Sequence, residues 1–169
     1  MTNSPDNIVI TPLQESHYGA LVEIYNHYII NTAITFDIEP YTIATRAPWF
    51  AGFDGARHVC LVAEQDGLPV GYACSTQFRK KAAYDTSVEV SVYLDHQVHK
   101  RGLGSRLYTE LFSHLSGQNV HRAYAGITMP NDASVAIHER FNFTECGRFT
   151  EVGYKFERYW DVLWLEKSL

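Results

Sequence analysis

Val92-Tyr93-Leu94, followed by His99-Lys100-Arg101-Gly102-Leu103-Gly104-Ser105-Arg106, runs from the end of a strand through a basic, glycine-containing turn into the start of a helix. Such a succession builds an anion site. The first amides of a helix lack intrahelical acceptors and sit at the positive end of its dipole, and glycines beside them let a phosphate reach the main chain. Lys100, Arg101 and Arg106 add positive charge at the same place. The chain has no G-x-x-x-x-G-K-[ST] sequence, and the third glycine of the dinucleotide fingerprint is missing. The turn therefore points to a pyrophosphate other than that of ATP or NAD.

Upstream of the turn, Ser87 to Leu94 alternates strictly. Val88, Val90, Val92 and Leu94 fall on one face, and Glu89, Ser91 and Tyr93 on the other. Downstream, Leu103, Leu107, Leu111 and Leu115, with Tyr108 and Phe112 beside them, mark the apolar stripe of a helix over 102–115. Toward the N-terminus, Ile8-Val9-Ile10 reads as a strand ending at Pro12, and apolar residues from Tyr18 to Ile29 have helical spacing. A further helix is expected from Thr42 to Phe53, broken or kinked near Pro48. Val59–Ala63 and Val70–Cys74 flank Asp66-Gly67 as a hairpin. Arg122–Thr128 reads as a strand, Asn131–Arg140 as a short helix capped by Asn131, and Asn142 as its left-handed stop. Two closing strands are expected around Gly153. The order β-α-α-β-β-β-α-β-α-β-β implies a mixed α and β fold around one sheet.

The chain has 169 residues, 46% of them hydrophobic and 20% charged, with a formal net charge of −5. One core and one domain over 1–169 are expected at this length. The acidic balance argues against non-specific nucleic-acid binding, which needs a broad basic surface. No apolar run is long enough to span a membrane, and Met1-Thr2-Asn3-Ser4-Pro5-Asp6 does not resemble a signal peptide, so a cytoplasmic protein is expected. Cys60, Cys74 and Cys146 lie in apolar, strand-like stretches and are expected to be reduced and buried. His96 and His99 have no partner motif, so no metal is expected.

The strand-turn-helix segment resembles motif A of the GNAT acetyltransferases, whose Gln/Arg-x-x-Gly-x-Gly/Ala turn wraps the pyrophosphate of acetyl-CoA. Here His99 takes the place of the first Gln or Arg. Three further stretches are similar to the phosphinothricin and methionine sulfoximine/sulfone branch of that family. They are Tyr25-Asn26-His27-Tyr28 through Thr35-Phe36-Asp37, Asn131-Asp132-Ala133-Ser134-Val135-Ala136-Ile137-His138-Glu139, and Glu151-Val152-Gly153-Tyr154-Lys155-Phe156. Many phosphinothricin-type relatives carry a tryptophan where this chain has Thr86. The resemblance implies the GNAT acyl-CoA N-acyltransferase fold, an α+β (α/β) arrangement with a mostly antiparallel mixed sheet of about seven strands flanked by about four helices. It also implies acetyl-CoA as co-substrate and a homodimer, with contacts around Tyr154-Lys155-Phe156 and Tyr159-Trp160.

Amine attack on a thioester needs a proton acceptor, a stabilised oxyanion and a leaving thiolate. Glu89, an isolated carboxylate on the polar face of its strand, is the candidate general base. By the resemblance, His138 stands where many GNAT enzymes have an acidic tyrosine, and it can act as acid, as second base or as a polar wall. The resemblance lays acetyl-CoA along Val92, Tyr93, Leu94, Lys100, Arg101, Gly102, Leu103, Gly104, Ser105 and Arg106, with Asn131 and Ser134 meeting the pantetheine chain. Arg79, Lys80, Lys81 and Tyr84 form a basic loop suited to the oxygens of a small anionic acceptor. Phe36, Val90 and Ser91 complete the candidate acceptor site, and Tyr93 and Tyr108 are candidate apolar walls. A methionine sulfoximine, methionine sulfone or phosphinothricin acceptor is the leading expectation. Another amine, such as a polyamine or a protein N-terminus, and a non-catalytic acyl-CoA-binding regulator are the alternatives.

Overall fold

The computed structural model describes residues 7–98 and 102–169. Seven strands and four helices follow in order: β1 (Ile8–Pro12), α1 (Tyr18–Asn31), α2 (Ile43–Phe50), β2 (Val59–Gln65), β3 (Leu68–Gln77), β4 (Ser87–Leu94), α3 (Leu103–Leu115), β5 (Arg122–Thr128), α4 (Asp132–Arg140), β6 (Thr144–Lys155) and β7 (Arg158–Ser168). The sheet order is β1-β2-β3-β4-β5-β7-β6. Every neighbouring pair is antiparallel except β4 and β5, which run parallel. The expected fold class and element order are those observed.

Alternation along β4 divides the protein into two cores. Val88 and Val90 are buried with Leu103, Leu107, Leu111 and Leu115 of α3, joined by Ala123, Ala125 and Ile127 of β5. On the opposite face, Tyr72 and Cys74 pack with Leu21, Val22 and Ile24 of α1 and Phe50 of α2, and Tyr93 packs against this cluster. Side chains of β4 thus reach both sides, which gives Glu89 and Ser91 their place on the α1 face.

Several local signals act as the residues suggest. Asp66 and Gly67 both adopt left-handed backbone conformations in the β2–β3 turn, the geometry of a two-residue hairpin. Asn131 accepts the Ser134 amide at 3.1 Å as the cap of α4, and Asn142 is left-handed just beyond it. Other expectations are corrected. The last hairpin turns at Phe156 and Glu157, both left-handed, whereas Gly153 lies inside β6 opposite Trp160. Its lack of a side chain serves packing: a Cβ there would stand 2.2 Å from the Phe36 ring. Helix α2 continues through Pro48 and stops at Phe50. Cys146 is exposed, unlike Cys60 and Cys74, because β6 is the outermost strand.

Tyr108 is fully buried in the α3 core and is not an acceptor wall. Leu107, also fully buried, anchors the same stripe. Replacement by alanine is expected to cost about 2–5 kcal/mol of unfolding free energy in a urea titration; a loss below about 1 kcal/mol would contradict this packing.

Candidate functional site

β4 and β5 are paired only at Ser87–Arg122, Val88–Ala123 and Glu89–Tyr124. Past Glu89 they part. β5 stays with β7 as far as Thr128 and β4 stays with β3 as far as Leu94, so the sheet opens as two halves. The phase of the β3–β4 ladder follows from the Asp95 amide, which donates to the Val70 carbonyl at 2.9 Å. Directly opposed residues that exchange bonds alternate along an antiparallel pair. Tyr93 and Ser91 therefore turn their main-chain groups to β3, while Val92 and Leu94 turn theirs into the opening. Consistent with this, the Leu94 carbonyl accepts the Tyr28 hydroxyl from the α1 side at 2.7 Å.

Two cavities occupy the opening. The smaller, about 50 Å³, lies between Val90–Tyr93 and Ala125–Thr128 and reaches Asn131, Ser134 and His138. The larger, about 410 Å³, runs from Val92 and Leu94 to Gly102–Ser105 at the start of α3, with Asn131, Ser134, Ile137 and Arg140 across from them. Gly102 is left-handed at φ 85° and no side chain caps α3. The first intrahelical bond runs from the Arg106 amide to the Gly102 carbonyl, so the Leu103, Gly104 and Ser105 amides have no intrahelical acceptor among the described residues and can meet a ligand. A Cβ on Gly104 would come 3.0 Å from Ile137 Cδ1, so that glycine lets α3 and α4 approach at the cavity floor. Arg106 is directed elsewhere, donating to the Ile8 carbonyl at 3.0 Å. Lys100 and Arg101 lie outside the described residues.

Glu89 stands at the last β4–β5 pair, where the strands part. Its carboxylate makes no hydrogen bond or ion pair among the described residues. Burial raises its pKa, with the Arg79 guanidinium pulling the other way. Arg79 lies over the Phe78 ring at 4.4 Å and 5.9 Å from the Trp164 ring. Phe78 in turn stacks on Tyr124 at 4.4 Å. Arg79, Lys80, Lys81 and Tyr84 are all exposed. The indole of Trp164 covers Gly126, whose Cβ would meet it at 3.2 Å, and its buried N–H has no acceptor among the described residues. On the other flank, Ile34 lines both cavities, and Phe36 lies behind it against Gly153.

His138 is 3% exposed and both its ring nitrogens are engaged. Nδ1 is 2.6 Å from the Ser134 carbonyl, an acceptor only, so Nδ1 carries the proton. Nε2 then accepts the Tyr108 hydroxyl at 2.9 Å. Burial lowers the pKa of this imidazole, offset in part by the Ser134 bond.

Sequence reasoning missed Tyr28, Ile34, Ala133, Ala136, Ile137 and Arg140 in the larger cavity and Ala125, Gly126, Ile127 and Thr128, besides Ile34, in the smaller. Arg140 carried a readable signal, being a cation in the last turn of the helix already assigned to the cofactor. Apolar liners such as Ile34 carry none.

A family model described as an acetyltransferase (GNAT) domain matches residues 10–164. The chain belongs to the GNAT acetyltransferase family. It is 44% identical over 165 residues, 96% of each chain, to the phosphinothricin N-acetyltransferase of Streptomyces coelicolor. It is 31% identical over 152 residues to the L-methionine sulfoximine/L-methionine sulfone acetyltransferase of Salmonella typhimurium, covering 89% of this chain and 88% of that one. A GNAT phosphinothricin acetyltransferase from Sinorhizobium meliloti, solved in complex with acetyl-CoA, superposes with a TM-score of 0.90 at 26% identity, over 96% of this chain and 88% of that one. This GNAT protein is accordingly an N-acetyltransferase.

The depressed pKa of His138 has a thermodynamic consequence. Below the ordinary histidine value of ~6.5 the unfolded chain binds the proton more readily than the native one, so this contribution to stability is present above that value and lost as pH falls through it. An NMR titration is expected to show His138 with an unprotonated Nε2 at neutral pH and a midpoint below ~6.5; a midpoint above it would contradict the assigned tautomer and burial.

Proposed function

We propose that this enzyme transfers the acetyl group of acetyl-CoA to the primary amine of a small amino-acid-like acceptor in the cytoplasm, of the methionine sulfoximine, methionine sulfone or phosphinothricin class. The observation that carries the reading is that one cavity joins the free amides of the α3 start to the unpaired main chain of Val92 and Leu94. The pyrophosphate lies on Gly102–Ser105, as anions do at helix N-termini. Lys100 and Arg101 adjoin it in the chain. The pantetheine arm passes between β4 and the Asn131–Ser134 turn of α4. A β4 amide then donates to the thioester oxygen, where charge develops during attack.

Glu89 takes the proton of the incoming ammonium. The free amine bonds to the carbonyl carbon, the carbon–sulfur bond breaks, and the second proton, lost by the nitrogen as the amide forms, balances the one that turns the departing thiolate into free CoA. A carboxylate whose pKa is raised by burial is better matched to this transfer than an ordinary one. The doubly bonded ring of His138 supports its use as a polar wall that keeps Tyr108 and the first turn of α4 in place. Arg79, with Lys80, Lys81 and Tyr84, faces the oxygens of the acceptor, and Ser91 flanks it; the Val90 side chain belongs to the α3 core and contributes only main chain, and Phe36 acts from behind Ile34. That basic loop favours an anionic amino acid over a polyamine. The names of the relatives, one acting on phosphinothricin and another on methionine sulfoximine or sulfone, support the same class.

The proposal extends to a homodimer. Tyr154, Phe156 and Tyr159 are 59%, 51% and 60% exposed around the turn of the outermost β6–β7 hairpin, a patch that association would cover. Lys155, in contrast, points inward.

A thiol-release assay over a panel of amines tests acceptor class, and the amino-acid analogues are expected to turn over ahead of polyamines and peptides. Glu89→Gln should lower kcat/KM by about a hundredfold at neutral pH and remove the acid limb of the profile, since activity needs the deprotonated carboxylate. An unaltered profile at wild-type rate would exclude it as the base. Gly104→Leu should weaken acetyl-CoA by at least about tenfold in calorimetry by filling the cradle, and unchanged affinity would remove the cradle from the account.

A further inference from the structure

The segment between α1 and α2 has no helix or strand of its own over residues 32–42, yet it supplies Ile34 to the boundary of both cavities. A wall without secondary structure needs other restraints. On one side α1 provides them. The Tyr25 hydroxyl donates to Asp37 Oδ2 at 2.7 Å and lies 2.7 Å from Thr35 Oγ1. Its single proton goes to the carboxylate, so Thr35 is the donor in the second bond. Thr35 Oγ1 also accepts the Asp37 amide at 3.3 Å, and Asn26 exchanges two 2.8 Å bonds with the main chain of Tyr41.

On the other side the restraint comes from β6, far along the chain. Lys155 is 4% exposed and its ammonium donates to the Thr35 carbonyl at 2.8 Å. The next residue inward along β6, Gly153, receives the Phe36 ring so closely that any side chain there would overlap it. A buried lysine is costly unless its charge and donors are met. Here the Thr35 carbonyl meets one donor, and the Asp37 charge favours the protonated form against the burial that lowers its pKa. Asp37 also faces Arg46 at 3.9 Å. Two stretches singled out by sequence, Thr35-Phe36-Asp37 and Val152-Gly153-Tyr154-Lys155, thus form one latch.

We propose that Gly153 and Lys155 are positioning residues for acceptor specificity: by seating Phe36 and Thr35 they fix Ile34, which borders both the larger, cofactor-side cavity and the smaller one between β4 and β5 where the amine meets the thioester. This rests on the reading that the acceptor amine enters at that junction. The cofactor's main grip, on the α3 start and α4, does not touch the latch. Loosening the latch should therefore be felt by the acceptor and little by acetyl-CoA.

Steady-state kinetics on the full chain separate these effects, with methionine sulfone as acceptor and thiol release as readout. Lys155→Met keeps the length of the side chain and removes its charge and donors; Tyr25→Phe removes the hydroxyl on the opposite side of the segment. Each is expected to raise acceptor KM about tenfold while leaving the KM for acetyl-CoA within about twofold. Because both act on one segment, the double variant should fall short of the product of the single effects. Gly153→Ala, which displaces the Phe36 ring, should change the ranking of acceptors of different side-chain size. Should Lys155→Met fail to fold, Tyr25→Phe and Gly153→Ala carry the test. Unchanged acceptor KM and ranking in the folded variants, or equal rises in both KM values, would overturn the latch. Failure of the wild-type enzyme to turn over any amine would instead overturn the acetyl-transfer reading beneath it.

Discussion

The structure depends on β4 leaving β5 after Glu89. An unpaired strand inside a sheet leaves main-chain donors and acceptors without partners, a costly condition unless water or a ligand meets them. Here the cost is confined to a few residues because each half of the sheet remains paired with its other neighbour. The same parting puts a carboxylate at the apex, a row of amides along one wall and the start of a helix at the far end. None of these features requires an unusual residue. They come from strand pairing that stops early, and the chemistry follows from what is left exposed.

Electrostatics sort the two ends of the opening. The α3 end offers helix amides, the Arg140 guanidinium at the rim and no carboxylate among the described residues lining the cavity, which suits a pyrophosphate. The β4 end pairs one half-buried carboxylate with a basic loop on an aromatic wall of Phe78, Tyr124 and Trp164, which suits an acceptor with an ammonium and an anionic group. The Glu89 proton affinity is set by burial more than by Arg79.

Much of this was legible in the residues because local rules and tertiary needs agree. The β4 alternation, the leucine stripe of α3 and the Asn131 cap each have one favoured structure, and each occurs. The Gly-x-Gly turn by itself marks a helix start whose amides a ligand can reach. What could not be read were the contacts that depend on which distant segments meet. Gly153 looked like a turn residue, since a glycine's small size and its backbone freedom leave the same letter in the sequence; the ring of Phe36 decides between them. His138 can serve as acid, second base or polar wall as far as its sequence position goes, and the partners that occupy its two nitrogens, Tyr108 and Ser134, come from the fold. Ile34 is an ordinary apolar residue in a loop, and only the fold makes it a divider between cavities. Cys146 shared the apolar context of the buried thiols but lies on an outermost strand.

Amide hydrogen exchange read residue by residue along β4, without and with saturating acetyl-CoA, tests the parted strand most directly. Ser91 and Tyr93 should be protected in the free enzyme by their bonds to β3, while Val92 and Leu94 exchange rapidly and become protected when the thioester binds. Slow exchange at all four residues in the free enzyme, or rapid exchange at Val92 and Leu94 that saturating acetyl-CoA leaves unchanged, would contradict the account.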